Sequence, residues 1–291
     1  MTVAIQTLST LPNKEIVFDF GKGTNVLHYV VGISYWKFSF DNTDQRIDTI
    51  TLNLTSNSAG SQVTTSIAAQ LQGGDHKMGY KNSSVTLSCV AILNDDNRNY
   101  TFGSGLGIPN GGRSSPITLC SSTPSVSSAF LSGFSLRYSG SKHHVQTIQT
   151  TAGVATDGST GYITSQANMN DHSNNWAQNP TIDGGLIYVD KSQTGLLAQA
   201  LPNQQAASPV SVKFPGTSLS AAAVMLQSLT VSYGSGHDHD IKHVGGGAPN
   251  WTVGGDTVVL DSAQAFMSDD SHNSQQNSDS RVSLIVLGIP A

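Results

Sequence analysis

The chain has 291 residues and a net charge of −5, and charged residues make up 11% of it, against roughly 25% in an average soluble protein. Its polarity comes from Ser, Thr, Asn and Gln together with 29 Gly, which argues against a disordered acidic or basic tail protein. The Lys and Arg are scattered, leaving no footprint for nucleic acid, and no apolar stretch approaches the roughly 20 residues of a membrane helix.

Residues 1–15, MTVAIQTLSTLPNKE, have no basic n-region and no long apolar h-region, so no secretory signal is expected. Leu11-Pro12-Asn13 precedes a short alternating run, Ile16-Val17-Phe18. In SYWKFSFDNTDQRIDTI, Trp36, Phe38 and Phe40 can share one side of a strand, with Ile47 and Ile50 following; a register on Ile33 and Tyr35 fits as well. Thr65 to Gln72 could form a helical turn or two, yet its later counterparts alternate like strands. Val85 to Leu93 is a closing apolar strand. The stretch NDDNRNYTFGSGLGIPNGG after it is Gly- and Asn-rich and reads as a linker or surface loop.

The same elements then return. Ile108-Pro109-Asn110 leads to Ile117-Thr118-Leu119, and Leu201-Pro202-Asn203 to Val210-Ser211-Val212. Phe134, Leu136 and Tyr138 match Leu229, Val231 and Tyr233. His143, Val145 and Ile148 match His239, Ile241 and Val244 after one inserted residue. Ser165–Asn179 lies over Ala263–Asn277, with Met169 on Met267 and Asp171 on Asp269. Gly185–Val189 and Ser283–Leu287 close these units. Recurrence at about a third of the chain means internal repeats, with units at 1–93, 94–190 and 191–291. Each holds five or six alternating runs separated by Gly, Ser, Asn and Asp. The expected fold is all-β: three tandem antiparallel β-sandwich-like modules of about 97 residues each, as a pseudo-trimeric ring or a linear array. Of the two cysteines, Cys89 falls inward and reads as a buried thiol, and Cys120 outward; a bridge between them stays open.

Three groups could carry chemistry. His237, Asp238, His239, Asp240 and His243 form the densest polar cluster. On a strand, His237 and His239 would share a face, and with His243 they could ligate Zn; the competing reading is a polar turn. Asp171-His172 and Asp269-Asp270 stand in register, with Asp75-His76 nearby in the first unit. They could bind Ca²⁺ or sugar hydroxyls, or brace their own turns. Trp176 and Trp251 lie in polar loops, where rings can stack on a sugar or a partner, whereas Trp36 reads as core. No nucleophile elbow, zinc helix or P-loop is present, so no enzyme is expected, and no cofactor beyond Ca or Zn.

Gly133-Phe134-Ser135-Leu136, His143-His144 and Asp171-His172 resemble a small bacterial β-sandwich module, and unit size and strand count are loosely similar to H-type lectin domains. That resemblance implies six-stranded sandwiches that assemble in threes and bind sugars at subunit edges. The expected function is a structural or surface component of an extracellular or particle assembly, such as a virion, tail fibre or appendage. It would self-associate or contact other assembly subunits. The alternative is a multivalent lectin-like binder of glycans.

Overall fold

The computed structural model describes residues 2–41, 43–74, 76–94, 99–140, 142–205, 207–276 and 278–291. The first third carries β1 (Thr2–Thr10), β2 (Glu15–Asp19), β3 (Val26–Ser39), β4 (Thr49–Ala59), β5 (Gln62–Gly73), β6 (His76–Lys77) and β7 (Ser84–Leu93). The middle carries β8 (Tyr100–Pro109), β9 (Ile117–Thr118), β10 (Pro124–Arg137), β11 (Thr147–Asp157), β12 (Thr160–Asn170) and β13 (Thr181–Asp190). The last carries β14 (Leu197–Gln204), β15 (Val210–Lys213), β16 (Leu219–Ser232), β17 (His243–Gly247), β18 (Trp251–Gly254), β19 (Thr257–Leu260), β20 (Gln264–Ser268) and β21 (Arg281–Pro290). A 3-10 turn at Tyr80–Asn82 is the one helical piece among the described residues. Among the described residues no helix is long and apolar enough to cross a membrane.

The protein is all-β and sandwich-like, built from several antiparallel sheets. One sheet runs β1-β7-β3-β17-β20, a second β2-β5-β4-β10-β13-β8 and a third β14-β21-β16-β11-β12-β9; β15-β19-β18 form a small fourth. Each large sheet is joined at its middle by strands far apart in sequence. Leu136 pairs with Ile50 between β10 and β4, Val231 with Ile148 between β16 and β11, and Phe38 with Val244 between β3 and β17. The last pairing ties the end of the chain to its beginning. Phe38, Leu136 and Val231 thus hold the same place in three ladders, which selects the Trp36–Phe38–Phe40 register. All three are fully buried.

Alternation drives these strands. β12 reads half-buried then buried along most of its length, as a strand with one covered face must. The first hydrophobic core fills the sandwiches; there Trp36 meets the Phe38 and Phe134 rings at 5.0 and 5.1 Å between centroids. A second, smaller core lies where β1-β7-β3, β8-β13-β10 and β14-β21-β16 face one another. It gathers Val30, Val90, Phe130, Ile187, Met225 and Ile285 among others. At its centre a methyl group on Gly32 would lie 2.6 Å from the Phe130 ring and 3.0 Å from Met225 Sδ. The Phe130 ring and the Met225 side chain therefore occupy space that Gly32 leaves free.

Two of the three aliphatic-Pro-Asn tripeptides have a mechanical role. The Asn13 side chain accepts from the Ala69 N–H at 2.6 Å and donates to the Ala69 carbonyl at 2.9 Å. Asn110 Oδ1 accepts from the Ala167 N–H at 3.0 Å. Each pins the end of one strand to the backbone of another.

Three expectations are corrected or resolved. The Gly-rich stretch expected as a linker contains β8, a full edge strand paired with β13 from Tyr100↔Val189 to Pro109↔Thr181. Glycine serves packing there: a methyl on Gly103 would come within 2.8 Å of Ile117. Asp95 to Arg98 of that stretch lie outside the described residues. Thr65–Gln72 is strand, inside β5. Cys89 is buried and Cys120 half-buried, and both are free thiols; burial pushes the Cys89 thiol well up.

Candidate functional site

Three loops, joining β3 to β4, β10 to β11 and β16 to β17, meet at one end of the molecule. They are knitted by reciprocal backbone bonds. Ile47 and His143 exchange N–H···O bonds of 2.8 Å in both directions. Val145 and His239 do so at 2.9 and 3.2 Å, and Ile241 and Gln45 at 2.9 Å each. The ring closes because each loop is donor and acceptor to both others. Ile47, Val145 and Ile241 are fully buried beneath it. A branched apolar side chain thus recurs wherever a loop passes under its neighbour.

Between these residues stand Arg46, His144 and Asp240. Arg46 Nε is 4.0 Å from Asp240 Oδ1. His144 Nδ1 is 3.5 Å from the same oxygen, an electrostatic contact rather than a hydrogen bond. Burial raises the Asp240 carboxyl; His144 and Arg46 pull it down, while Asp44 and Asp269 push it up, and the net direction is upward. A raised folded-state pKa means that the ionised form costs stability once pH exceeds it, and that the cost is absent below the unfolded value. Asp240→Asn is therefore expected to raise the melting temperature modestly at pH 7, with the gain gone by about pH 4. Thermal scans at the two pH values check this; a lower melting temperature at pH 7 would mean that attraction from Arg46 and His144 outweighs burial.

Two further constellations flank the ring with matching geometry. The His143 ring nitrogen Nδ1 lies 3.0 Å from Asp171 Oδ2, and the ring lies tilted against Tyr138 at 4.6 Å between centroids. Asn175 donates its backbone N–H to Asp171 Oδ1 at 2.8 Å and its amide to Oδ2 at 2.6 Å. In the second copy, His239 Nδ1 is 3.3 Å from Asp269 Oδ2, and the ring lies 4.7 Å from Tyr233. Asn273 donates to Asp269 at the same 2.8 and 2.6 Å. The first third of the chain has Gly73 there, with Gln45 in place of histidine and Phe40 in place of tyrosine. A side chain on Gly73 would strike the Arg46 carbonyl at 2.2 Å. The arrangement thus occurs twice among the described residues.

Asp171 and Asp269 are buried, and their oxygens are occupied by their own loops, the bracing role of a turn carboxylate. Burial alone would raise Asp171, but the bonds from Asn175 and His143 outweigh it and hold the carboxyl low. Burial, reinforced by Asp171 and Asp238, drives the Tyr138 hydroxyl strongly up. His172 is exposed, and its N–H donates to Asp238 Oδ2 at 3.1 Å. Asp270 and Asp44 exchange backbone-to-carboxylate bonds of 3.0 Å, and Lys242 Nζ donates to Asp270. That lysine is the first cause holding Asp270 low.

The sequence therefore locates one end of the molecule well. Asp171, His172, Asp269, Asp270, His237 and His239 all converge on the loop end. Residues 237–242 form a loop with isolated bridges at His239 and Ile241, not a continuous strand, because they pair with the neighbouring loops. The His237 and His239 rings are nearly parallel, 6.4 Å apart. His243 begins β17 and is lowered by burial and by Lys37 and Lys242. Among the described residues no three His, Cys, Asp or Glu are grouped so as to hold a metal ion; Asp75 lies outside them. Trp176 is 50% exposed, two residues after the exposed loop tip at Asn174. Trp251 is elsewhere, half-buried on β18, its Nε1 donating to the Ala222 carbonyl at 3.2 Å.

Two grooves escaped the sequence reading. One of about 290 Å³ lies among β3, β4, β8, β10 and β13, and one of about 270 Å³ beside Trp251. Neither is lined by a charged residue. The hydroxyls at matching positions, Ser104 and Thr7, were the available signal. Compared with known proteins, the chain matches no family model and no curated sequence.

Proposed function

We propose that the chain is a pseudo-trimer folded from one polypeptide, with β-sandwich modules at 1–93, 94–190 and 191–291, and that it serves as a non-enzymatic structural or surface component of an extracellular or particle assembly. The observation that carries this reading is the closed set of seams. β4 pairs with β10, β11 with β16, and β17 with β3, so each third completes a sheet of the next. The loop ring repeats that closure at one end. Such mutual completion leaves each third dependent on its neighbours for a full sheet. The titratable side chains of the loop end are set against one another, and the grooves offer no charged group to reacting atoms, which favours contact over catalysis. The test is size-exclusion chromatography with light scattering, then negative-stain imaging. Discrete large particles or filaments are expected; a dispersed monomer at all concentrations sinks the assembly reading.

A second reading, a multivalent lectin-like binder, is favoured by the exposed His172 and Trp176 beside the loop end. Binding on a glycan array that falls at least ten-fold in His172→Ala and Trp176→Ala supports it, while a blank array removes it.

A further inference from the structure

The two grooves occupy equivalent places in the repeat. β4 and β10 pair only over Thr49–Asn53 and Gly133–Arg137, and β10 bulges between Leu131 and Gly133. Beyond that point the two strands have no common ladder, and the first groove lies there. Tyr29, Leu54, Phe102, Ser104 and Ser132 are among its lining. The second is lined by Ile5, Thr7, Asn250 and Trp251, among others, on β1 and near β17 and β18. Ladder register relates them: Phe102 faces Ile187 and Ser104 faces Gly185 on β13, as Ile5 faces Val90 and Thr7 faces Ser88 on β7. β17 and β3 likewise pair over only five residues, Gly247↔Tyr35 being the last.

The other two equivalent places are each bridged: Ser34, two residues before Trp36, donates its hydroxyl to the Val224 carbonyl at 2.6 Å near the second groove, and at the third place a longer side chain crosses the gap. Gln227 stands two residues before Leu229, as Ser132 stands two before Phe134. Its amide donates to the Ala129 carbonyl at 3.4 Å. Where the sequence has Ser132, no such bridge fills the space, and Ser132 lines the groove instead.

The lining decides the ligand class. A charged ligand would be desolvated with no counter-charge to meet it. A purely apolar one would bury Ser104, Ser132 and Asn250 without partners. A sugar ring offers both what the aromatic faces and what the hydroxyls require: C–H edges and hydrogen-bonding groups that give and accept. At about 290 Å³, the groove is at the bottom of the roughly 300–1,000 Å³ range of ligand pockets, room for one ring. We propose that these two grooves each bind one neutral hexopyranose unit, Tyr29 and Phe102 flanking it in the first and Trp251 in the second. This rests on the carbohydrate-binding reading but uses residues distinct from those of the loop end.

The test uses the whole chain and a panel of galactose, glucose, mannose, N-acetylgalactosamine and N-acetylglucosamine. Saturation-transfer NMR and titration are expected to find at least one sugar bound at roughly 1 mM, two per chain, with a shift in tryptophan fluorescence. Ser132→Gln copies the bridging residue of the third position and is expected to remove one of the two sites. Trp251→Ala is expected to weaken the other at least ten-fold. Tyr29→Ala, at a half-exposed position, repeats the first test should Ser132→Gln fold poorly. Binding unchanged in all three variants but lost in the His172→Ala/Trp176→Ala double variant overturns the groove assignment and leaves the carbohydrate reading standing. No binding of any sugar overturns both.

Discussion

Truncating Phe130 to Ala is expected to cost about 3–5 kcal/mol of folding free energy, the range for deleting a buried phenyl ring. The upper part of the range is expected because the site cannot collapse. Phe130 is fully buried at the centre of the second core. Its neighbours include two glycines: a methyl on Gly32 would approach the ring at 2.6 Å, and one on Gly185 at 2.2 Å. Neither has a side chain to lean into the void. Met225, the flexible neighbour, can fill only part of it. The strands around the ring belong to ladders on either side and cannot close in without breaking them. Urea unfolding of Phe130→Ala beside Phe102→Ala makes the comparison, since Phe102 is only half-buried at the groove and its loss should be much cheaper. A Phe130→Ala loss no larger than that of Phe102→Ala would mean that the three sheets do not depend on this core.

The strand content was legible in the sequence because alternation reports which side of a strand is covered. Phe134, Leu136 and Tyr138 announced their strand, and Leu229, Val231 and Tyr233 announced its counterpart. What alternation cannot report is the partner lying alongside. Nothing in Ile50 says that it will face Leu136 from another third of the chain rather than a strand of its own. β8 was hidden for a different reason. Its glycines are usual marks of a loop, but here they are set by crowding, with Ile117 close behind Gly103. The site was half legible. Aligned Asp171 and Asp269 pointed to the loop end, while the seam between His143 and Ile47 depends on backbone groups that carry no sequence signature. The grooves were least legible, since they are space left where two strands part.

An isolated middle third, residues 94–190, is expected not to fold as a soluble monomer. Alone, β10 loses β4 along Gly133–Arg137, and β11 loses β16 along Thr147–Thr151. Two seams of unpaired backbone and two apolar faces would meet water, and burying or pairing them is what folding at this size depends on. Three copies could try to rebuild the ring among themselves. Each would then bring Phe130 to the place that Gly32 and Met225 share with it in the intact chain, and overpacking of a core costs about 1–3 kcal/mol or more. The first third has the opposite defect, since three copies of Gly32 would leave the centre empty. In the intact chain one Phe, one Met and one Gly fill a space that three identical residues would fill badly. Circular dichroism and size-exclusion chromatography of the 94–190 fragment are expected to find unfolded or aggregated material. Co-expression with residues 1–93 and 191–291 is expected to recover a folded complex. A stable, dispersed monomer of the fragment would show the modules to be independent and would remove the interlocked pseudo-trimer from the proposal.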